Sequence, residues 1–420
     1  MLQKKIGLKS ALAGTAAAAL VVTSILTTPS TDEAEAASSQ SKNVILFVGD
    51  GMGAAARDAI RLATVGEKGE LAMDAMPFAG LVHTSSTVPV TDSAASATAY
   101  ASGVKTYNGA IGMDADKKPV KTIMEYAKEA GKATGVVSTS QVTDATGAAF
   151  GAHVENRSAQ SDIALQFLTQ SKIDVILGGG EDYWYPAGDP GKFQDAPAED
   201  PSEKSKGTQG NLVNKAKELG YSFVSNKTEL QNAKGGKLLG LFANEEMFQQ
   251  REEGKGDIYN PVVSLQEMTK KAIDTLAANK KGFFLMVEEE GTDEFAHNNN
   301  AKMTIKAGQE LDRAVQVAKD FAKKNPDTLV LVLADHETGG FSIEEVSEDE
   351  SGDGISKEDG PFAIAGSEHN FVVDWTTSGH TAVDIPVTAM GKNAELFSGI
   401  YENTEIFNKL MQSLGLKHKK

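Results

Sequence analysis

The sequence contains no cysteine. That absence excludes a disulfide framework, a zinc-thiolate site, an iron–sulfur cluster, a cysteine nucleophile and a lipid-modified N-terminal cysteine. Positive charge is also short: 41 Lys plus Arg stand against 58 Asp plus Glu, a formal net charge of −17. A nucleic-acid binder needs a basic face to neutralise phosphates, so that class is set aside. Only one long apolar run occurs, near the N-terminus, so no second membrane span is expected. Charged residues at 24% and hydrophobic residues at 40% are ordinary for a globular protein and argue against wholesale disorder. What remains is an acidic globular protein in which any metal site must use His and carboxylate.

The apolar run, residues 11–26, follows Lys4, Lys5 and Lys9 and precedes Ala34-Glu35-Ala36. A basic start, an apolar centre and a small-residue site form the pattern of a cleaved secretory signal peptide, here residues 1–36. The run is short for the roughly 20 residues of a spanning helix. Export is therefore expected, leaving the protein secreted, periplasmic or at the cell surface.

Residues 43–48, 134–138, 173–177, 283–287, 329–333 and 386–390 read as short buried strands. Most alternate with helix-period stretches at 120–130, 264–277, 304–322 and 404–414. Continuous apolar strands separated by helices predict an α/β fold: a large, mainly parallel central sheet with helices on both faces. Residues 37–420 are expected to form a single catalytic domain. Gly, Pro and acidic stretches near 181–256 and 344–360 read as surface insertions, and no repeat period is visible.

Polar residues cluster where those strands end. Asp50 follows the first, Glu288 closes the fourth, and Asp335-His336 follows the fifth. Ligands of open parallel sheets bind beyond the carboxyl ends of strands. Carboxylates converging there would repel one another unless cations lay between them. Asp293 and His297 share one helical face, and His380 lies in the loop Thr377-Ser-Gly-His380-Thr381. These oxygens and imidazoles suit zinc or, where oxygens dominate, magnesium. His369 rivals His380 as a ligand. His83 fits a strand or loop, and His418 belongs to a solvated basic tail. In Thr91-Asp92-Ser93-Ala-Ala-Ser96-Ala-Thr98, Asp92 or Ser93 is a natural helix start, which sets a Ser hydroxyl beside free N–H groups. Such a place stabilises an alkoxide or a phosphate. Ser96 is the spare candidate.

Together these blocks resemble the alkaline phosphatases. The match runs through Asp50-Gly-Met-Gly53, Thr91 to Thr98, Gly103-Val-Lys-Thr-Tyr-Asn-Gly109 and Asp144-Ala-Thr146. It continues with His153 to Arg157, Glu288, Asp293, His297, Asp335-His336 and His380-Thr381. The resemblance implies a phosphomonoesterase with Ser93 as nucleophile and Arg157, in a helical stretch, as the phosphate-holding fork. It implies two Zn2+, one on Asp293, His297 and His380 and one on Asp50, Asp335 and His336. One Mg2+ would lie on Thr146 and Glu288, bridged by Asp50. The magnesium ligand is taken as Glu288, over Glu289 and Glu290, by its offset from Asp293. Asp92, Asp144, His153 and Glu294 are expected to touch substrate or to buttress the ligands, His153 because it lies near Arg157. The implied partners are small phosphomonoesters, and a homodimer is common in the family. Two positions depart from its pattern. Glu294 stands where members carry Lys, Trp or His, and Thr338 where some carry His. A sulfatase would need a Ser-x-Pro-x-Arg-like segment, which Ser93-Ala-Ala-Ser-Ala lacks. A metal-dependent phosphoglycerate mutase should have no leader. An exported phosphate-binding protein would not need a nucleophile.

Overall fold

Apolar residues with no polar interruption make strands that are buried on both faces, and four such strands carry the centre of this protein. They are β1 (Asn43–Gly49), β3 (Ala133–Gln141), β7 (Phe283–Glu289) and β8 (Thr328–Leu333). In the computed structural model, residues 40–193, 204–249, 257–346 and 359–417 are described, and they fall in one compact unit. The expected leader, residues 1–36, and His418 lie outside the described residues.

The remaining strands are β2 (Phe78–His83), β4 (Val175–Gly179), β5 (Ser222–Val224), β6 (Leu238–Leu241), β9 (Glu337–Thr338), β10 (Phe341–Glu345), β11 (Asp359–Ala363), β12 (Asn370–Trp375), β13 (His380–Thr381), β14 (Ile385–Gly391) and β15 (Gly399–Glu402). Ten of them form the central sheet in the order β15-β2-β14-β8-β1-β7-β3-β4-β6-β5. Every neighbouring pair is parallel except the two made by β14. The helices are α1 (Ala54–Val65), α2 (Ser93–Ser102), α3 (Ile123–Glu129), α4 (Ala145–Gly151), α5 (Gln160–Thr169), α6 (Leu212–Glu218), α7 (Lys227–Asn232), α8 (Leu265–Leu276), α9 (Gly291–His297), α10 (Ala301–Lys324) and α11 (Thr404–Leu414). They cover both faces, and the expected α/β architecture is the one observed.

Local chemistry sets the helix limits. The α3 helix starts later than periodicity suggests because Thr122 caps it, in a reciprocal capping box with Glu125. Ser264 and Glu267 make the same box at α8. The core is dense: Phe47, Phe150, Phe283 and Phe284 are fully buried. Truncating one of them to Ala would cost about 3–5 kcal/mol.

The segment 181–256 differs from expectation. Its described part is no mere surface insertion, since β6 and β5 extend the sheet beyond β4 and Leu212, Leu239 and Phe242 join the main core. Weak periodicity concealed it because the two strands are only four and three residues long. The other expected insertion, near 344–360, is described only at its ends, where β10 and β11 both pair with β12 in a small antiparallel sheet.

Candidate active site

Register aligns the chemistry. Val48 of β1 stands level with Glu288 of β7 and with Leu333 of β8, and Ser138 of β3 is level with Glu288. All four strands run in one direction, so Asp50, Glu288 and Asp335 emerge together on one sheet edge. Gly51 makes the turn after Asp50 at φ +64°, a left-handed conformation that favours glycine. A Cβ there would also lie 2.9 Å from Asp293 Cα.

Two groups of ligand type result, each with its candidate atoms within 4.8 Å of one another. The inner group is Asp50, Asp335 and His336, all buried. His336 Nε2 lies 3.5 Å from Asp50 Oδ1 and 3.3 Å from Asp335 Oδ2. Asp335 Oδ1 accepts from the backbone N–H of Gly51 and of His336 at 3.1 and 3.0 Å, which fixes the carboxylate. Asp50 Oδ1 and Asp335 Oδ2 have no hydrogen-bond partner although buried. Burial, then the charges of Asp335 and Asp293, push the Asp50 carboxyl well above its ordinary range. Burial also lowers His336, which leaves its imidazole neutral and able to donate a lone pair.

The outer group is Asp293, His297 and His380. Asp293 and His297 lie on α9, and His380 lies on β13, which pairs with β9. His297 Nδ1 donates to Ser378 O at 2.6 Å, and His380 Nδ1 donates to Thr91 O at 2.9 Å. Because carbonyls only accept, the two Nε2 atoms are the ones left to face each other, 3.1 Å apart. His297 Nε2 is 3.2 Å from Asp293 Oδ2. Two lone pairs at that separation repel unless a cation, or a proton in its place, lies between them. The hydrogen bond to Asp293 accordingly pushes His297 up to about 9. Burial would raise Asp293, but His297 and the neighbouring imidazoles outweigh it and hold the carboxyl below its usual range. Thr338 Oγ1 joins the groups, donating to Asp293 Oδ1 and lying 3.3 Å from His336 Nδ1.

A third set adjoins the inner group. Thr146 Oγ1 donates to Asp50 Oδ2 at 3.2 Å and Ser138 Oγ to Glu288 Oε2 at 2.6 Å, while buried Glu288 Oε1 has no partner. Burial pushes Glu288 up to about 7. Glu289 turns away, accepting from Tyr259 and Thr139 at 2.6 and 2.9 Å. These orphaned oxygens and inward lone pairs fit divalent cations. The nitrogen-containing groups suit zinc, and the oxygen-only set suits magnesium.

Ser93 is the first residue of α2, and Asp92 caps it through a 2.9 Å bond from Ala95 N. The helix is anchored to the strand end: Ser96 Oγ and Tyr100 Oη donate to the carbonyls of Asp335 and Ala334, each at 2.8 Å. The anchoring bond engages the spare candidate Ser96 and sets Ser93 Oγ 3.2 Å from His336 Nε2. Arg157 lies in a turn, not in the expected helical stretch, because its backbone N–H is held by Gly109 O at 2.8 Å. Gly109 N in turn donates to Asp92 Oδ2 at 2.7 Å. The guanidinium pairs with Asp144 at 2.6 Å and stands 3.8 Å from Asp92. Burial opposes its charge, but Asp144 and Asp92 hold it firmly protonated.

Three histidines stand apart. His153 is not brought to the site: its ring faces Glu125 at 3.2 Å and Gly112 O at 2.8 Å, which corrects the expectation drawn from its nearness to Arg157. His83 pairs with Asp384 at 2.7 Å, and His369 is exposed on the turn before β12. Sequence reasoning passed over Glu290, which is buried here with one oxygen unpartnered. It also missed Ser138, level with Glu288 on the neighbouring strand; its place at the end of the expected strand 134–138 was the available signal.

The profile of the family described as alkaline phosphatase matches residues 41–366 and 365–416. Alkaline phosphatase 3 of Bacillus subtilis is 33% identical, with 89% of each chain covered. Alkaline phosphatase of Escherichia coli is 34% identical over 90% of this chain and 86% of that one. Among solved structures, alkaline phosphatase of the Antarctic bacterium TAB5, in a variant with magnesium bound in its M3 site, superposes with a TM-score of 0.70. It is 33% identical and covers 90% of this chain and 99% of its own.

Proposed function

The chain belongs to the alkaline phosphatase family, and from that premise we propose how its residues divide the work of a metal-dependent phosphomonoesterase. Hydrolysis of phosphate monoesters, with release of inorganic phosphate, proceeds through a phosphoseryl intermediate on Ser93. The outer group, Asp293, His297 and His380, would hold one zinc ion, and the inner group, Asp50, Asp335 and His336, a second. Thr146 and Glu288, with Asp50 between, would hold magnesium. Bound there, such ions lower the pKa of a hydroxyl or of water and offset charge on the leaving oxygen.

The chain's own groups supply position and charge. Arg157 offers its planar fork to two phosphate oxygens, steadied by Asp144 and Asp92. The free N–H groups at the start of α2 face the same place. Ser93 Oγ attacks phosphorus, the Oγ–P bond forms as the ester O–P bond breaks, and the alcohol leaves. Water then breaks the Oγ–P bond and phosphate is freed. The proton released from Ser93 ends, through solvent, on the departing ester oxygen, and a proton of the attacking water returns to Ser93 Oγ in the second step; neutral His336, beside the hydroxyl, puts no imidazolium in competition for the developing oxyanion. Most of the acceleration comes from positioning and charge stabilisation, because phosphoryl transfer passes through a loose transition state.

The observation that carries this reading is Ser93 Oγ at 3.2 Å from His336, at the start of a helix and against the inner ligand group. Its test is hydrolysis of a chromogenic phosphomonoester, with labelled phosphate trapped on the protein at acid pH. Label on the Ser93 peptide and loss of turnover in Ser93→Ala are expected. Wild-type turnover in Ser93→Ala would overturn the mechanism.

Export is supported by the leader pattern in residues 1–36, and N-terminal sequencing of the secreted protein reads the cleavage point. No described helix is long and apolar enough to cross a membrane. The family resemblance supports a homodimer, which sedimentation equilibrium measures. The single catalytic domain, residues 37–420, is supported by the continuity of the sheet.

A further inference from the structure

His153 and Arg157 lie on the same side of a short backbone ladder. At its centre Ile111 and Val154 form an antiparallel bridge, each N–H donating to the other's carbonyl at 3.0 Å. At the end nearer the site, Arg157 N donates to Gly109 O at 2.8 Å, and Gly109 N donates to Asp92 Oδ2 at 2.7 Å. At the far end, His153 Nδ1 donates to Gly112 O at 2.8 Å. Each side of the ladder has its own anchor. Thr98 of α2 donates from Oγ1 to Ala110 O at 3.1 Å and accepts from Gly112 N at 3.0 Å, which ties residues 109–112 to the helix that begins with Ser93. Gln166 of α5 holds the His153 peptide from both ends, its Oε1 accepting from the N–H at 2.8 Å and its Nε2 donating to the carbonyl at 3.0 Å.

The His153 ring is what joins the two sides at the far end. Its Nε2 faces Glu125 Oε1 at 3.2 Å, and Glu125 Oε2 accepts from Thr122 N at 2.8 Å in the capping box of α3, so the ring is braced from behind. The approach is close: Gly112 has φ +58°, and a Cβ there would stand 2.7 Å from His153 Nδ1. Asp144 and Asp92 steady the guanidinium of Arg157, while the ladder fixes the backbone from which it projects. A planar fork that grips two oxygens loses much of its effect when displaced slightly. We propose that His153 is a positioning residue for Arg157. Its bond to Gly112 O closes the ladder and sets where the fork meets phosphate, although the ring itself meets only Gly112 and Glu125. The proposal rests on the reading of Arg157 as the phosphate-holding group.

The test is a double-mutant cycle on the full, metal-loaded chain. It reads KM and kcat for a chromogenic phosphomonoester, the inhibition constant of inorganic phosphate, and bound zinc and magnesium per chain. His153→Leu removes both ring bonds and should raise KM and the phosphate inhibition constant together, about three- to tenfold, with metal content unchanged. His153→Asn sets an amide N–H near the place of Nδ1 and should restore most of both constants. In an Arg157→Ser background, His153→Leu should change neither constant further. An equal effect of His153→Leu in both backgrounds would overturn the proposal, as would a wild-type phosphate inhibition constant in His153→Leu alone. Wild-type constants in Arg157→Ser would overturn the assignment of Arg157 itself, and the proposal with it. If His153→Leu does not fold, His153→Gln, whose amide reaches toward Glu125 and away from Gly112 O, takes its place in the cycle under the same criteria.

Discussion

The inner and outer ligand groups use the same residue types but sit in different surroundings. The inner side chains, Asp50, Asp335 and His336, are 3%, 0% and 0% exposed. In the outer group, His297 is 33% and His380 15% exposed. The inner side chains come from the turns after two central strands, and His336 lies 3.2 Å from Ser93 Oγ. The outer ones come from a short helix and a two-residue strand, with their rings aimed by backbone carbonyls. The lesson is a division of labour: the sheet edge supplies a rigid, dry position beside Ser93, and the rim supplies one that solvent and leaving groups can reach.

The largest effect that tests this contrast is His336→Ala. It strips the nucleophile's neighbour and leaves two buried carboxylates facing each other, so turnover should fall about 1,000-fold or more, beyond rescue by added zinc. His297→Ala should also lose activity, yet excess zinc should restore a good part of it. Equal rescue of the two variants would break the contrast. Metal removal sharpens it from another side. During dialysis against a chelator, zinc should leave in two phases, and His297→Ala should abolish the faster one. A single phase in wild type would show that burial does not separate the sites.

A pH experiment reads the buried carboxylates beside the inner group. Burial raises Glu288 from an ordinary 4.5 to about 7, so the folded metal-free protein binds that proton more tightly than the unfolded chain. Its contribution to stability is full below about pH 4.5 and lost as pH rises through about 7. The metal-free protein should therefore melt progressively lower between those values, and the metal-loaded protein less steeply, with Glu289, raised to about 8 by burial, still contributing. Thr338→Val removes the hydroxyl that touches both groups and should weaken metal binding about tenfold. A smaller shift is expected at the rim from Glu294→Lys. Replacing the anion whose charge acts on His297 should tighten phosphate inhibition severalfold, and tighter inhibition in wild type would contradict it.

Much of the inner group was legible because strands end abruptly. An apolar run followed by Asp50, or by Asp335-His336, marks both the direction and the edge of a parallel strand. The i,i+4 spacing of Asp293 and His297 was equally readable. What could not be read is carried by backbone: the carbonyls of Thr91 and Ser378 that select the histidine tautomers, and the Gly109 peptide linking Asp92 to Arg157. Nearness in sequence misled at His153, because the chain after α4 turns its ring toward Glu125. Glu290 was discounted by offset from Asp293, and its buried oxygen without a hydrogen-bond partner is a product of the fold that offset could not show.

The most direct test of the central claim is anomalous diffraction at the zinc absorption edge from metal-reloaded crystals. Two peaks are expected, each roughly 2.0–2.2 Å from its nearest ligand atoms. One belongs among Asp293, His297 and His380, and the other among Asp50, Asp335 and His336, with Ser93 Oγ beside it. Peaks absent from both groups, or an inner peak with Ser93 turned away, would contradict the account.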